Sequence, residues 1–243
     1  MNYADVILRI AVSAQLSIIQ RHGAKDNIMK KQVGFTLIEL AIVLVIIGLL
    51  LGGVLKGQEL INSAKVKNMI TDFKNTQVYI YGYQDKFKAL PGDDAAAAAN
   101  ITGATTATTP ATSQGNALIQ GEWNSVTNTD ESFLFWQHVR LAGLAPGPTA
   151  VGDANYQPRN ADGGRIGVQS VSGFSKITGM TGSFAICSDA ILGKFAKQID
   201  TTLDDGETST GSVRATPTAT TNAAATAKAA VVDANSYTVC MTF

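Results

Sequence analysis

Cysteine and histidine are scarce: the 243-residue chain holds two of each. Two cysteines exclude a disulfide-dense mini-protein and a four-cysteine zinc site. Two histidines leave little material for imidazole-based catalysis or metal binding, and only His138 lies beyond the first 34 residues. There is no G-x-x-x-x-G-K-[ST] phosphate loop, no H-E-x-x-H and no G-x-S-x-G. No net charge is left over either, since 19 basic side chains balance 19 acidic ones, and an electrostatic nucleic-acid binder would carry a basic excess. Charged residues make up 16 %, against a usual ~25 %. No internal repeat is present. What the chain does have is apolar residues, 45 % of the total, with a large share packed into one stretch near the start.

That stretch is Phe35 to Leu55, FTLIELAIVLVIIGLLLGGVL: 21 residues in which Glu39 is the only charge. At ~1.5 Å per residue it makes a helix of roughly 31 Å, matching the ~30 Å hydrocarbon layer of a bilayer. Fifteen of its residues are Phe, Leu, Ile or Val. Together they favour insertion by roughly 4 to 9 kcal/mol, more than the ~2.5–3.5 kcal/mol that a central carboxylate costs. Glu39 lies near the end, where the cost is smaller, so the segment is expected to span a membrane. Lys30 and Lys31 precede the run and Lys56, Lys65 and Lys67 follow it, so charge alone does not orient it. A secretory signal would have a shorter apolar core with a small-residue cleavage site after it; here Gly34 comes before.

Met29-Lys30-Lys31-Gln32-Val33-Gly34 followed by Phe35-Thr36-Leu37-Ile38-Glu39-Leu40 resembles the prepilin leader of type IV pilins and type II secretion pseudopilins. The likeness covers about 30 residues strictly and the following helix more loosely. It implies cleavage after Gly34 by a membrane prepilin peptidase, followed by N-methylation of Phe35. It implies a bacterial inner-membrane, single-pass precursor with its head outside the cytoplasm, later built into a periplasmic or cell-surface filament. In the family the glutamate equivalent to Glu39 pairs with the N-terminal amine of a neighbouring subunit. Glu39 lies four residues after Phe35, hence on the same helical face, and a carboxylate in an apolar bundle needs such a partner. Two features depart from the pattern: Lys56 stands where many members have a proline, and residues 1–28 make an unusually long leader. Met29 as the true start, or a genuinely extended leader, are the two readings of that length.

Past Leu55 the pattern turns amphipathic, with Leu60, Ile61, Ala64, Met69, Ile70, Phe73, Ile80, Tyr83 and Phe87 recurring largely at three- and four-residue steps. No proline intervenes before Leu90-Pro91-Gly92, a strong stop. One helix over about 35–90 is expected, with the membrane segment at 35–55. The apolar stripe of its outer half must be covered by residues 91–243. The fold class expected is therefore α+β: a long N-terminal helix packed on a small antiparallel sheet head, as in pilins. Arg165–Val171, Ser183–Cys187 and Tyr237–Phe243 are the β-prone runs. Phe133–Leu141 reads as a short helix with core aromatics, an exposed contact patch being the rival. Ala190–Leu203 reads as a helix capped by Ser188 or Asp189. The Ala/Thr/Gly-rich segments 93–121 and 206–230 read as surface loops, with Asp93 and Asp94 in a polar turn and Ala223–Ala230 a marginal helix. Tyr79, Tyr81 and Tyr83 read as packing against the head or neighbouring subunits, since no basic surplus supports base stacking.

With an extracytoplasmic head, Cys187 and Cys240 are expected to form a disulfide, one closing a β-prone run and the other inside the last strand; two free buried thiols are the alternative. Asp204, Asp205 and Glu207 are weak calcium candidates in a loop, although a solvated turn is the plainer reading and no EF-hand spacing is present. Asp153-Ala154-Asn155 is weaker still. No cofactor is expected. Residues 1–34 hold five of the basic and two of the acidic side chains, leaving 14 and 17 in the mature chain, a balance that does not favour nucleic acid. The function expected is that of a filament subunit, not an enzyme. Its partners would be the prepilin peptidase/methyltransferase, copies of itself, other pilins or pseudopilins and an inner-membrane assembly platform. A minor pilin acting as a membrane-anchored or tip-borne binding module is the alternative.

Overall fold

The computed structural model describes residues 36–111 and 113–243, so the leader and the Gly34–Phe35 junction lie outside the described residues. Helix α1 runs from Leu37 to Phe87 without a break, passing straight through Lys56. It ends where Lys88 turns left-handed, its N–H donating to the Gln84 carbonyl (2.8 Å), just ahead of Pro91. The chain divides between Gly52 and Gly53 into two units. In the first, Leu37, Leu44, Leu49 and Leu50 of α1 are all exposed, and none of the helix's most apolar 18-residue window is buried.

In the second unit, Gly53–Phe243, the outer part of α1 buries Val66, Met69, Ile70, Phe73, Thr76, Ile80 and Tyr83. These fall at three- and four-residue steps and form one stripe, as the amphipathic pattern requires. The stripe enters a single core with Val168, Ile186, Ile191, Phe195 and Val239. Four strands make the sheet: β1 (Ile166–Ser170), β2 (Phe184–Leu192), β3 (Val213–Pro217) and β4 (Ser236–Thr242). Their order is β1-β2-β4-β3 and every pairing is antiparallel. Side chains alternate between faces. Ile186, Val239 and Met241 therefore join the α1 side, whereas Cys187 and Cys240 meet Trp123, Ile177 and Met180 in a smaller cluster. The long apolar helix followed by a four-stranded antiparallel sheet is an α+β, pilin-like layout.

Two shorter helices complete the frame. Helix α2 (Glu131–Leu141) buries Phe133, Leu134, Phe135 and Trp136, so its aromatics are core and the contact-patch rival is set aside. Helix α3 spans Gly193–Leu203, starting three residues later than Ala190. Ser188 and Asp189 do not cap it; they belong to β2, which continues past a bulge so that Ile191 pairs with Tyr237 and Leu192 with Ser236. Extra ladder bonds on β4 outweigh a single cap. Gly193 opens the helix at a point where a Cβ would overlap the Val232 carbonyl oxygen.

The segment 206–230, expected as a surface loop, contains β3, an edge strand ending in Pro217, while its Ala-rich end forms only a 3-10 turn at Lys228–Ala230. Pro is tolerated there because an edge strand needs no further donor. The 93–121 connection is less superficial than its composition suggests. Ala97, Ile101, Ala107 and Ile119 are buried, and a short helical turn covers Ala97–Asn100.

Candidate processing and assembly site

The described part of the N-terminal site begins at Thr36, which caps α1. Its hydroxyl accepts the Glu39 N–H (3.3 Å), while Glu39 Oε2 accepts both the Thr36 N–H (2.8 Å) and the Thr36 hydroxyl (2.7 Å). This is a reciprocal capping box, which occupies donors that a helix N-terminus otherwise leaves unpaired. A T-x-x-E spelling ahead of an apolar run is its signature, and the sequence reading of Glu39 as an assembly carboxylate overlooked it. The Glu39 carboxylate thus has a local partner within its own chain. Farther along, no packing neighbour among the described residues lies within 4 Å of where a Cβ would sit on Gly48, Gly52, Gly53 or Gly57.

Cys187 and Cys240 are register partners on β2 and β4 and are joined as a disulfide across 53 positions. Both are fully buried.

The polar residues that sequence reasoning placed in a turn serve a different purpose. Asp93 and Asp94 are buried. Asp93 accepts the N–H groups of Gly115, Asn116 and Ala117; Asp94 accepts the Tyr83 hydroxyl (2.8 Å), the Ala96 N–H and the Asn100 side-chain amide. Asp93 thus ties the start of the Ala/Thr-rich connection to its far part, and Asp94 ties that start to Tyr83 of α1. His138 adds a third pin: its Nδ1 accepts the Gly92 N–H (2.9 Å), which leaves Nε2 to donate to the Thr105 carbonyl (2.8 Å). Burial pushes its pKa down, consistent with this neutral, structural imidazole. Burial likewise raises Glu131 to about 7, Asp93 adding to the effect, while the Gln120 N–H donated to its Oε2 opposes it. Apart from the Ala96 N–H, two residues after Asp94, these partners lie too far along the chain for a local motif to announce them. Tyr83 is buried against Phe87, whereas Tyr81 is half-exposed and meets Phe243 edge-on.

Asp204, Asp205 and Glu207 do not converge as a set. Glu207 turns away, accepting the Lys228 N–H (2.6 Å) and the Ser209 hydroxyl (3.0 Å). Asp204 and Asp205 come together with Asp200 instead. Asp153 closes a local turn by accepting the Asn155 N–H.

The family model for the prokaryotic N-terminal methylation motif matches residues 29–55. No curated protein and no solved structure matches the chain. The chain therefore carries, over its leader and the apolar part of α1, the signal of type IV pilins and pseudopilins, which marks a substrate of prepilin peptidase. With the long apolar helix behind it, this signal fits a membrane-anchored precursor and points to a structural subunit rather than an enzyme.

Proposed function

We propose that this protein is a structural subunit of a type IV pilus-like or type II secretion pseudopilus filament. In this reading residues 1–34 are the prepilin leader, 35–90 the N-terminal helix and 91–243 the head. Prepilin peptidase cuts between Gly34 and Phe35, the Phe35 amine is methylated, and subunits assemble through the apolar half of α1.

The observation that carries the reading is that apolar half, signalled by the methylation motif and left unburied among the described residues. Lipid covers it in the precursor. Once the subunit leaves the bilayer, water does not tolerate such a surface, and copies of the same helix are the natural replacement. The spacings Gly48-x-x-x-Gly52 and Gly53-x-x-x-Gly57 suit close helix–helix approach. Each glycine costs an isolated helix ~1 kcal/mol relative to alanine, so four of them in α1 call for a compensating contact outside the chain.

Mechanical shearing of cells that express this chain together with a prepilin peptidase and an assembly platform tests this directly. The chain is expected in the sheared, pelletable filament fraction; as its bulk constituent it is the main subunit, and as a trace it is a minor, tip-borne one. Retention of the processed chain entirely in the membrane fraction would contradict filament membership.

A further inference from the structure

Glu131, the first residue of α2, is fully buried, yet only one of its carboxyl oxygens meets a donor. Oε2 accepts the Gln120 N–H (2.8 Å), whereas Oε1 has no partner. A buried oxygen left in that state demands an explanation. The group beside it is a second carboxyl: Asp93, 2 % exposed, lies within hydrogen-bonding range of Glu131. The backbone forces the meeting. Gly92, at φ +91°, passes so close to Glu131 that a Cβ there would overlap the Glu131 carbonyl oxygen. Both carboxyls also hold one stretch of the Ala/Thr-rich connection. Asp93 takes the N–H groups of Gly115, Asn116 and Ala117, and Glu131 takes that of Gln120.

No cation relieves this pair. The ion pairs among the described residues involve other carboxylates, Glu59, Asp85, Asp162 and Asp233. Asp130, next to Glu131 on α2's N-terminal side, is acidic too and accepts the Ser125 hydroxyl (2.6 Å). Glu122 reaches outward to the Ser175 hydroxyl (3.3 Å). Toward α1, Asp94 is taken up by the Tyr83 hydroxyl. Farther along α2, the neutral His138 has both ring nitrogens on backbone groups of Gly92 and Thr105.

We infer that Asp93 and Glu131 share one proton, carried by Glu131 and donated from Oε1 to the Asp93 carboxylate, and that this hydrogen bond is a pH-operated clasp on the connection. Two carboxylates in contact and away from water do not both ionise without a large penalty. The three N–H groups on Asp93 favour its anion, so the proton falls to Glu131. Losing that proton to solvent sets two negative charges against each other where residues 115–120 are held. The clasp is closed in acid and loosens as pH rises. Burial raises Glu131 from the ordinary 4.5 to about 7, so its stabilisation is complete below about 4.5 and is lost as pH climbs through about 7. The clasp stands independently of the filament reading.

The test is denaturant unfolding of the purified full-length protein in detergent between pH 5 and 8, wild type beside Glu131→Gln. The amide of that variant keeps an acceptor for the Gln120 N–H and a donor for Asp93. Burial also raises Asp72 and Asp200 to about 6, so the difference between the two proteins, not the wild-type slope alone, reads the clasp. Across this window the wild-type unfolding constant is expected to rise roughly 10- to 100-fold more than that of the variant. Hydrogen-exchange protection of the Gly115, Ala117 and Gln120 amides should fall above about pH 7 in the wild type and hold in the variant. If Glu131→Gln does not fold, carbon NMR of wild-type protein labelled at its glutamate carboxyls should show one resonance titrating near pH 7. Equal pH dependence in the two proteins, or every glutamate titrating below about pH 5, would overturn the clasp.

Discussion

Replacing Glu39 with alanine is expected to leave membrane insertion and leader cleavage intact while reducing filament formation at least about tenfold, the equivalent of ~1.4 kcal/mol per subunit contact. Two roles compete for this carboxylate, and they predict different patterns. As a cap, it shares the Thr36 N–H and hydroxyl and holds the first turn of α1. As an ion-pair partner, it meets the ammonium group that cleavage creates on Phe35 of a neighbouring subunit, since a carboxylate in an apolar bundle needs a positive partner. Thr36→Ala removes the cap, worth typically ~1 kcal/mol of helix stability, but keeps the charge. Glu39→Gln keeps an acceptor for the cap but removes the charge. If pairing sets the register between subunits, Glu39→Gln fails to assemble as Glu39→Ala does, and Thr36→Ala assembles nearly as well as the native chain. The reverse order would assign Glu39 to capping alone. Insertion of Glu39→Ala should improve slightly, because a carboxylate leaves the apolar span. Normal filaments built from Glu39→Ala as the sole copy would rule out a need for either role in assembly.

The second large effect concerns the Cys187–Cys240 disulfide. In the chain-entropy account, closing a loop of this length stabilises by about 4 kcal/mol, an upper-end figure. That is a large fraction of the 5–15 kcal/mol that holds a typical domain together. Both sulfurs lie among Trp123, Ile177 and Met180, so replacement by alanine in pairs avoids burying a hydroxyl or leaving one thiol unpaired. The Cys187→Ala/Cys240→Ala protein should unfold at a clearly lower denaturant concentration, approaching the loss of ~4 kcal/mol. Thiol labelling of the native-sequence protein, denatured without reductant, should detect no reactive cysteine. Two reactive thiols per chain, or an unchanged unfolding midpoint in the double variant, would contradict the staple.

The elements that proved legible in the sequence are those with local or periodic signals. The basic leader, Gly34 and FTLIEL form a contiguous motif, and the stripe from Val66 to Tyr83 repeats at helical spacing up to the stop at Pro91. Strands β1, β2 and β4 were visible as β-prone runs because their inward side chains are apolar or β-branched. Strand β3, Val-Arg-Ala-Thr-Pro, was not, since its strand character comes from pairing with β4 rather than from its own composition. The same holds for the start of α3, where Ser188 and Asp189 spell a cap and the pairing of Leu192 with Ser236 overrides it.

Long-range polar partners were the least legible. Asp93 reaches Gly115 to Ala117, and His138 joins Gly92 to Thr105, at separations over which no spacing rule applies. Asp200 escaped notice for a related reason. It occupies an ordinary position in an amphipathic helix, and only the fold reveals that both its oxygens are buried and unpaired beside Asp204 and Asp205.

In the proposed function residues 1–34 are removed and Phe35 becomes the assembling end of a pilin-like subunit. Intact-mass and N-terminal peptide mass spectrometry of the protein isolated from cells possessing the processing peptidase tests it most directly. A chain beginning at Phe35 with one methyl group added to its amine is the expected result. A chain beginning at Met1 or Met29 in those cells would contradict it.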